Sequence, residues 1–376
     1  MTPEQDRAFM DCAVTAGQRA RYWSAPNPPV GCVLVKEGSV LGEGFTQPAG
    51  NAHAEIKALE MARNVHGQTA TQGATAYVTL EPCSHQGRTG PCVVALIDAG
   101  IERVVVAVED PNPQVAGQGL SRLREAGIAV DVGIGAEAVE QDLAGFLLRM
   151  RRGHGRITVK IATSLDGRTA MASGESQWIT GELARQDVQR LRAESDLIVT
   201  GVGTVLVDDC RLTLRSDALP LPDEDKGRAL AHPPTRMVLD SRGRTPPGAQ
   251  VLQGEPTILV VAQTSDDAPT TNVHRLPANP EGRIDLAEWI ALLRTQTYNE
   301  ILVEAGPTLS GALIREGWVD RLVLYQAPKL LGDSAWPLAT MALDTLGDAV
   351  ELAFTEVTHI GSDLRIIAAP LRRGQN

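Results

Sequence analysis

At 376 residues the chain exceeds what one hydrophobic core ordinarily serves, so its length predicts two domains. Hydrophobic residues at 43% and charged residues at 22% are globular values, and no apolar run approaches the ~20 residues a membrane span needs. The net charge of −11 and aromatic content of 3% argue against a protein whose main work is gripping nucleic acid, which requires clustered cations and stacking rings. The acidic, polar start Met1-Thr-Pro-Glu-Gln-Asp6 is unlike a secretory signal, and five scattered cysteines make no disulfide framework. A soluble, cytoplasmic protein without membrane attachment is expected.

Strand-length apolar runs alternate with helical patterns from end to end, which predicts an α/β protein. Val30–Val35, Val40–Phe45, Ala76–Leu80 and Val104–Val108 read as strands. Ala54–Ala62 places Ile56, Leu59 and Ala62 at helical spacing, and Val93–Asp98 lies between the start signal Pro91 and the stop signal Gly100. A further helix is expected over Glu137–Leu148. The basic connector Arg149-Met-Arg-Arg-Gly-His-Gly-Arg156 follows, and the strand Ile157–Ala162 restarts the pattern. The domains are therefore expected at 1–150 and 151–376. Later strands are expected at Leu197–Thr200, Arg236–Asp240, Thr257–Val261, Glu300–Glu304, Arg321–Tyr325 and Leu364–Ala368. The Pro-, Asp- and Gly-rich stretches 216–234 and 243–256 are expected to be surface loops.

The segment Asn51-Ala-His-Ala-Glu55 opens a helix, and Glu81-Pro-Cys83 and Pro91-Cys92 follow it. One imidazole and two thiolates are three of the four ligands of a tetrahedral zinc, and a position left for water makes such a site catalytic. His53, Cys83 and Cys92 are thus the candidate ligands, with Glu55 as the proton shuttle. His-x-Glu followed by Pro-Cys and a further Cys is the zinc-deaminase signature. Glu55 lies two positions from His53, about 200° around an ideal helix, so the metal is expected beyond the helix N-terminus. Helix starts at Cys83 and Cys92 would stabilise thiolate charge. Cys12, Cys32 and Cys210 read as ordinary cysteines. Eight residues separate Cys83 from Cys92, where the usual pattern has two. A purely structural zinc would need a fourth ligand, for which His85 is the nearby candidate.

The second half offers Gly201-Val-Gly203-Thr-Val-Leu206 and Gly306-Pro-Thr-Leu-Ser-Gly311. The first lacks the third glycine of a dinucleotide fingerprint, and the second lacks the Lys and Ser/Thr of a P-loop. Each follows a strand and precedes a helix, so backbone amides there are placed to hold an anion and a nucleotide site stays open. Lys160 reads equally as a proton donor or as a surface lysine. Asp166 reads as a turn former. Ser241 and Arg242 follow a strand end, where a cation could meet a 2′-phosphate, or where a solvated loop would serve.

Pro26-Asn-Pro-Pro-Val-Gly31, His53-Ala-Glu55, Thr79-Leu-Glu-Pro-Cys-Ser-His85, Gly87-Arg-Thr-Gly-Pro-Cys92 and Asp110-Pro-Asn-Pro-Gln-Val-Ala-Gly117 together resemble the deaminase domain of the bifunctional riboflavin-biosynthesis deaminase/reductases. The long cysteine insert is characteristic of that family. The likeness continues through Ser164-Leu-Asp-Gly-Arg168, Gly174-Glu-Ser-Gln-Trp-Ile-Thr180, Gly203-Thr-Val-Leu-Val-Asp-Asp209 and Val303-Glu-Ala-Gly-Pro-Thr308. It implies a cytidine-deaminase-like α/β/α sandwich followed by a dihydrofolate-reductase-like α/β domain, with zinc in the first and NADPH in the second. The implied substrate is a diaminopyrimidine ribosylamine phosphate, deaminated to an aminouracil whose sugar is then reduced to a ribityl chain.

By the same resemblance Asn27 holds the base, and His85, Arg88, Asp110 and Asn112 surround the ribose phosphate. Ala162, Trp178, Thr204, Asp208, Ser241 and the turn Gly306, Pro307, Thr308, Leu309, Ser310, Gly311 and Ala312 face NADPH. Ser176, Leu212, Arg215 and Glu304 face the substrate of the reduction. Thr46 and Gly90 stand where such proteins usually carry His and Pro. Two other readings remain at this point: a nucleoside or nucleic-acid deaminase with an unrelated C-terminal partner, and a C-terminal half that binds NADPH without catalysis. A homo-oligomer is compatible with the sequence.

Overall fold

The computed structural model describes residues 1–84, 90–112, 115–254, 256–265 and 272–371. Contacts divide the chain into two units, Met1–Gly155 and Arg156–Asn376, so the division falls inside the basic connector. Among the described residues no helix is long and apolar enough to cross a membrane.

In the first unit α1 (Pro3–Gln18) precedes the hairpin β1 (Gly31–Lys36) and β2 (Ser39–Phe45), and α2 (Ala54–His66) leads to β3 (Thr75–Leu80). Then come α3 (Cys92–Asp98), β4 (Arg103–Val108), α4 (Gln118–Glu125), β5 (Ala129–Val132), α5 (Ala136–Asp142) and α6 (Ala144–Arg152). The sheet order is β2-β1-β3-β4-β5, antiparallel from β2 to β3 and parallel from β3 to β5. Consecutive residues of β1, β3 and β4 are buried, so both faces of the sheet are covered, as in an α/β sandwich.

Helix α1 adds an element beyond those expected, begun by a capping box between Thr2 and Gln5 and by Pro3. The single helix expected over Glu137–Leu148 is instead two, α5 and α6. The break at Leu143 (φ −94°, ψ 8°) keeps Val139, Leu143, Phe146 and Leu147 in one core. Gly153, with φ +90°, then closes α6 in the left-handed conformation.

The second unit begins with β6 (Arg156–Ser164), β7 (Arg168–Ala170), α7 (Glu182–Ala193), β8 (Leu197–Gly201) and α8 (Val202–Asp208). It continues with α9 (Asp223–Ala231), β9 (Thr235–Leu239), β10 (Thr257–Ala262), β11 (Val273–Leu276), α10 (Leu286–Arg294), β12 (Glu300–Val303) and α11 (Pro307–Arg315). Last come β13 (Arg321–Ala327), β14 (Trp336–Pro337), β15 (Leu352–Ile360) and β16 (Asp363–Pro370). Nine strands run β11-β10-β9-β8-β12-β6-β13-β16-β15, parallel as far as β13 and antiparallel beyond it. Leu197 and Val199 join one core and Ile198 the other, which places a hydrophobic layer on each face.

The expected strands are all present, with ends within two residues of those read from the sequence. The edge strands β5, β11 and β15 were not legible because much of each is exposed and none carries a long apolar run. The stretches 216–234 and 243–256 are not plain surface loops. The first holds α9, whose Asp223, Glu224 and Asp225 complement the helix dipole, and the second holds a 3-10 turn with Val251 fully buried.

Helix α2 lies so close on β2 that a Cβ at Gly44 would stand 2.2 Å from the Ala54 carbonyl oxygen. Ala54 follows His53, so the contact sets where the candidate metal ligand begins. Gly44→Ala is expected to cost about 1–3 kcal/mol and to lower zinc content, measured by thermal unfolding and metal analysis. Gly248→Ala, at a site with nothing within 4 Å, should stay within about 0.5 kcal/mol of the parent.

Candidate functional site

His53 is the N-cap of α2 with extended backbone (φ −79°, ψ 170°), so it lies outside the helix and projects beyond its end. This removes the angular conflict with Glu55, which sits in the first turn and is buried. Cys83 follows β3 and Pro82, and Cys92 is the first residue of α3, preceded by the N-cap Pro91. His53 Nδ1 lies 3.6 Å from Cys83 Sγ and 3.3 Å from Cys92 Sγ, and the three donor atoms all fall within 4.8 Å. A tetrahedral zinc with nitrogen at ~2.0 Å and sulfur at ~2.3 Å sets those two atoms about 3.5 Å apart. The donor set therefore fits zinc in both chemistry and spacing.

The thiols are electrostatically unequal. A hydrogen bond from Cys92 holds the Cys83 thiol well below its ordinary value, against the effect of burial and with help from His53. Cys92 is pushed up by that same bond and by burial. Two adjacent sulfurs can both ionise only where a cation holds them, which is the service a divalent metal provides. Burial, and then the charge of Cys83, push the Glu55 carboxyl up to about 7, within the range that suits general acid–base work near neutrality.

Of the remaining residues expected around this site, His85 and Arg88 lie outside the described residues. Asn27 sits in a turn where its N–H donates to Ser24 O at 2.9 Å, and Arg149 braces that turn by donating to Pro26 O at 2.8 Å. Asp110 follows β4 and accepts the Asn112 N–H at 2.8 Å. Thr46 is buried, its hydroxyl accepting the Val30 N–H at 3.1 Å, and Gly90 is exposed, with nothing among the described residues within 4 Å of where its Cβ would stand. Sequence reasoning gave no role to Glu81, whose buried carboxylate accepts four backbone N–H groups. Its presence in Thr79-Leu-Glu-Pro-Cys83 was the one available signal.

In the second unit a cavity of about 1500 Å³ opens at the carboxyl ends of β6, β8, β9 and β12. It is lined by Lys160, Ala162, Ser176, Trp178, Thr204, Asp208, Leu212, Arg215, Ser241, Glu304, Gly306, Pro307, Thr308, Leu309 and Ala312. Ser310 and Gly311 were expected there and are not. The Ser310 hydroxyl is fully buried and donates to Ala305 O at 3.3 Å, while a Cβ on Gly311 would stand 2.3 Å from Thr340 O. Both belong to the inner face of α11. Sites for one small ligand ordinarily hold ~300–1000 Å³, so this cavity has room for a dinucleotide beside a second molecule. Gly203 leaves open space at the start of α8, and a Cβ on Gly306, at the start of α11, would touch only the Thr204 hydroxyl at 4.0 Å; helix amides lack partners at such starts.

Lys160 is not a surface lysine. It lies half-buried, 3.4 Å from Glu304 Oε2, and Arg192 grips the same carboxylate at 2.5 and 3.1 Å. Burial alone would raise the Glu304 carboxyl, but Arg192 and then Lys160 overcome it and hold the group at about 2. Arg192, which also lines the cavity, had no role in the sequence reading. Asp208 accepts the Ser176 hydroxyl at 3.3 Å, and Arg185 stacks at 4.6 Å over the Trp178 ring. Ser241 accepts the Ile284 N–H at 3.0 Å, with Arg242 on the same cavity wall. Asp166 accepts the Leu331 and Gly332 amides and so shapes a turn. Cys210 has its thiol pushed up to about 12 by burial and then by Glu304, which favours the neutral thiol.

Residues 156–366 match the RibD C-terminal domain, and residues 3–108 match the cytidine and deoxycytidylate deaminase zinc-binding region. The riboflavin biosynthesis protein RibD of Escherichia coli (strain K12) is 49% identical over 369 residues, covering 96% of this chain and 98% of that protein. The chain belongs to the RibD family. The RibD of Haemophilus influenzae is 44% identical over 370 residues, with 97% and 98% covered. Among solved structures, Acinetobacter baumannii RibD, form 1, aligns with a TM-score of 0.85 at 40% identity over 99% of this chain and 100% of that one. A diaminohydroxyphosphoribosylaminopyrimidine deaminase/5-amino-6-(5-phosphoribosylamino)uracil reductase from Thermotoga maritima aligns with a TM-score of 0.86 at 28% identity, covering 98% and 99%. As in the RibD family, the first unit is a zinc-dependent deaminase and the second an NADPH-dependent reductase. The match over 156–366 sets aside an unrelated C-terminal partner.

Cys92→Ala is expected to weaken zinc binding at least about 100-fold, read by competition with a chelator. The depressed Glu304 carboxyl contributes stability that is complete above pH 4.5 and is lost as pH falls toward 2. Acid unfolding of Glu304→Gln followed by circular dichroism should therefore lack that part of the pH dependence.

Proposed function

We propose that the first unit deaminates a phosphoribosylated diaminopyrimidine and that the second reduces the ribosyl group of the resulting aminouracil to ribityl, the pair of activities in the name of the Thermotoga maritima protein. The observation that carries this reading is a buried carboxyl, Glu55, in the first turn of the helix that His53 caps, beside a His-Cys-Cys metal set. His53, Cys83 and Cys92 hold the zinc, which when bound supplies the Lewis acidity that activates water towards the ring carbon bearing the exocyclic amine. Glu55 accepts a proton from the attacking water and delivers it to the ring, then carries the next to the departing ammonia. The covered position of Glu55 keeps bulk water from exchanging that proton. Asn27 orients the base, while Asp110 and Asn112, with His85 and Arg88, hold the ribose phosphate.

For the second step NADPH, when bound, supplies the hydride. Ala162, Trp178, Thr204, Asp208 and the Gly306–Leu309 turn with Ala312 form its side of the cavity, and Ser241 and Arg242 its end. Ser176, Leu212 and Arg215 hold the sugar phosphate. Lys160 gives its proton to the sugar ring oxygen as the anomeric C–O bond breaks, and Glu304 both orients Lys160 and accepts a sugar hydroxyl. The cavity's room for two ligands supports this division. The net charge of −11 supports a small-molecule partner rather than nucleic acid, and the free thiols of the metal set support a cytoplasmic location.

Glu55→Gln is expected to retain about one zinc per chain. Its ammonia release from the diaminopyrimidine phosphate should fall about 10²–10⁴-fold while NADPH oxidation with the aminouracil continues unchanged. Lys160→Met should show the reverse, with reduction lost and ammonia release intact. A Glu55→Gln enzyme that deaminates at the parent rate would end the proton-shuttle assignment.

A further inference from the structure

Glu81 takes no part in the chemistry above, yet its carboxylate is buried and makes no ion pair among the described residues. All its recorded partners are backbone amides. Oε1 accepts Gly119 N at 2.8 Å and Leu120 N at 3.3 Å, and Oε2 accepts Gly117 N at 2.9 Å and Asp110 N at 3.2 Å. Gly119 and Leu120 are the second and third residues of α4, whose first amides have no partner within the helix. A carboxylate is favoured at that end by the dipole, and hydrogen bonds to the charged form offset its burial.

The segment beside Glu81 is bonded to the same turn along its length. A Cβ on Gly119 would stand 2.2 Å from Pro82 O, so α4 rests directly against that carbonyl. Arg122, one turn further along α4, donates to Ser84 O at 2.6 Å. Cys83 lies between these three attachments. Its own sulfur and carbonyl are held separately, by Cys92 N at 3.3 Å and Val93 N at 3.2 Å, neither of which depends on Glu81.

We infer that Glu81 is a positioning residue of the deaminase, fixing the turn that carries Asp110 and Asn112 relative to the metal ligand Cys83. The inference rests on the reading of Asp110 and Asn112 as ribose-phosphate contacts. Loss of the Glu81 charge therefore displaces the substrate's phosphoribosyl end while leaving the metal set intact. A glutamine in its place turns one end of the side chain into a donor, so either the Gly119/Leu120 pair or the Asp110/Gly117 pair loses its acceptor.

The test uses the full chain as Glu81→Gln, with metal analysis, ammonia release across a range of substrate concentrations, and NADPH oxidation with the aminouracil as an internal check on the second unit. About one zinc per chain should remain, KM for deamination should rise about tenfold or more, kcat should fall much less, and reduction should be unchanged. Gly119→Ala, which pushes α4 off Pro82 from the other side, should give the same KM-weighted loss and decides the matter if Glu81→Gln does not fold. The role is overturned if KM stays within about twofold of the parent in zinc-loaded protein, or if zinc and kcat are lost together at unchanged KM. Asp110→Asn separates this from the underlying reading: an unchanged KM there removes the phosphate assignment, whereas an unchanged KM in Glu81→Gln alone removes only the positioning role.

Discussion

Two thiols and an imidazole packed within 4.8 Å of one another cannot all serve as ligands unless both sulfurs shed their protons, and the protein arranges for that at the ends of three elements. His53 caps α2, Cys83 terminates β3 by way of Glu81 and Pro82, and Cys92 begins α3. Each backbone is committed to secondary structure on one side only, which frees the side chain to converge without disturbing the core. Much of the first unit can be understood as holding these three ends in register. Gly44 lets α2 settle on β2, and the Val93 amide ties α3 to the Cys83 carbonyl. Glu55 is buried because it shares the first turn of α2 with the cap, and burial is what raises its carboxyl toward neutrality.

The second unit solves a related problem with opposite chemistry. Its cavity also lies where parallel strands end and helices begin, but the charged group on its wall is a lysine held by a carboxylate. Arg192 reaches Glu304 from α7 and keeps it ionised in a place where burial alone would favour the acid. Without Arg192, Glu304 would be a weaker partner for Lys160. The triad is therefore a unit, and no one of its members has the properties an isolated residue of its type would show.

The metal ligands were legible because cysteine and histidine at this spacing have few other uses in a reduced chain. The wide gap between Cys83 and Cys92 also proved compatible with the donor distances. Strand positions were legible from apolar runs, and the edge strands β5, β11 and β15 were not, since exposure removes the pattern that betrays them. The turn Gly306–Ala312 was read as one surface, whereas a helix starting at Pro307 turns Ser310 and Gly311 away from the face that Thr308, Leu309 and Ala312 present to the cavity. Glu81 and Arg192 escaped notice because their partners lie far off in sequence: up to 39 residues away for Glu81 and 112 for Arg192.

The sequence by itself determined a zinc-binding set, an α/β chain in two parts, and the family to which both halves belong. These depend on residue type and local spacing, which need no folded chain to be read. Only the tertiary structure decided that His53 stands outside its helix, that Lys160 is paired rather than solvated, and that Glu81 fastens the Asp110 turn to the metal ligand's strand end. Each of those depends on burial and on contacts between distant segments, and a change of a few ångströms decides whether a carboxylate meets an amide, a cation or water.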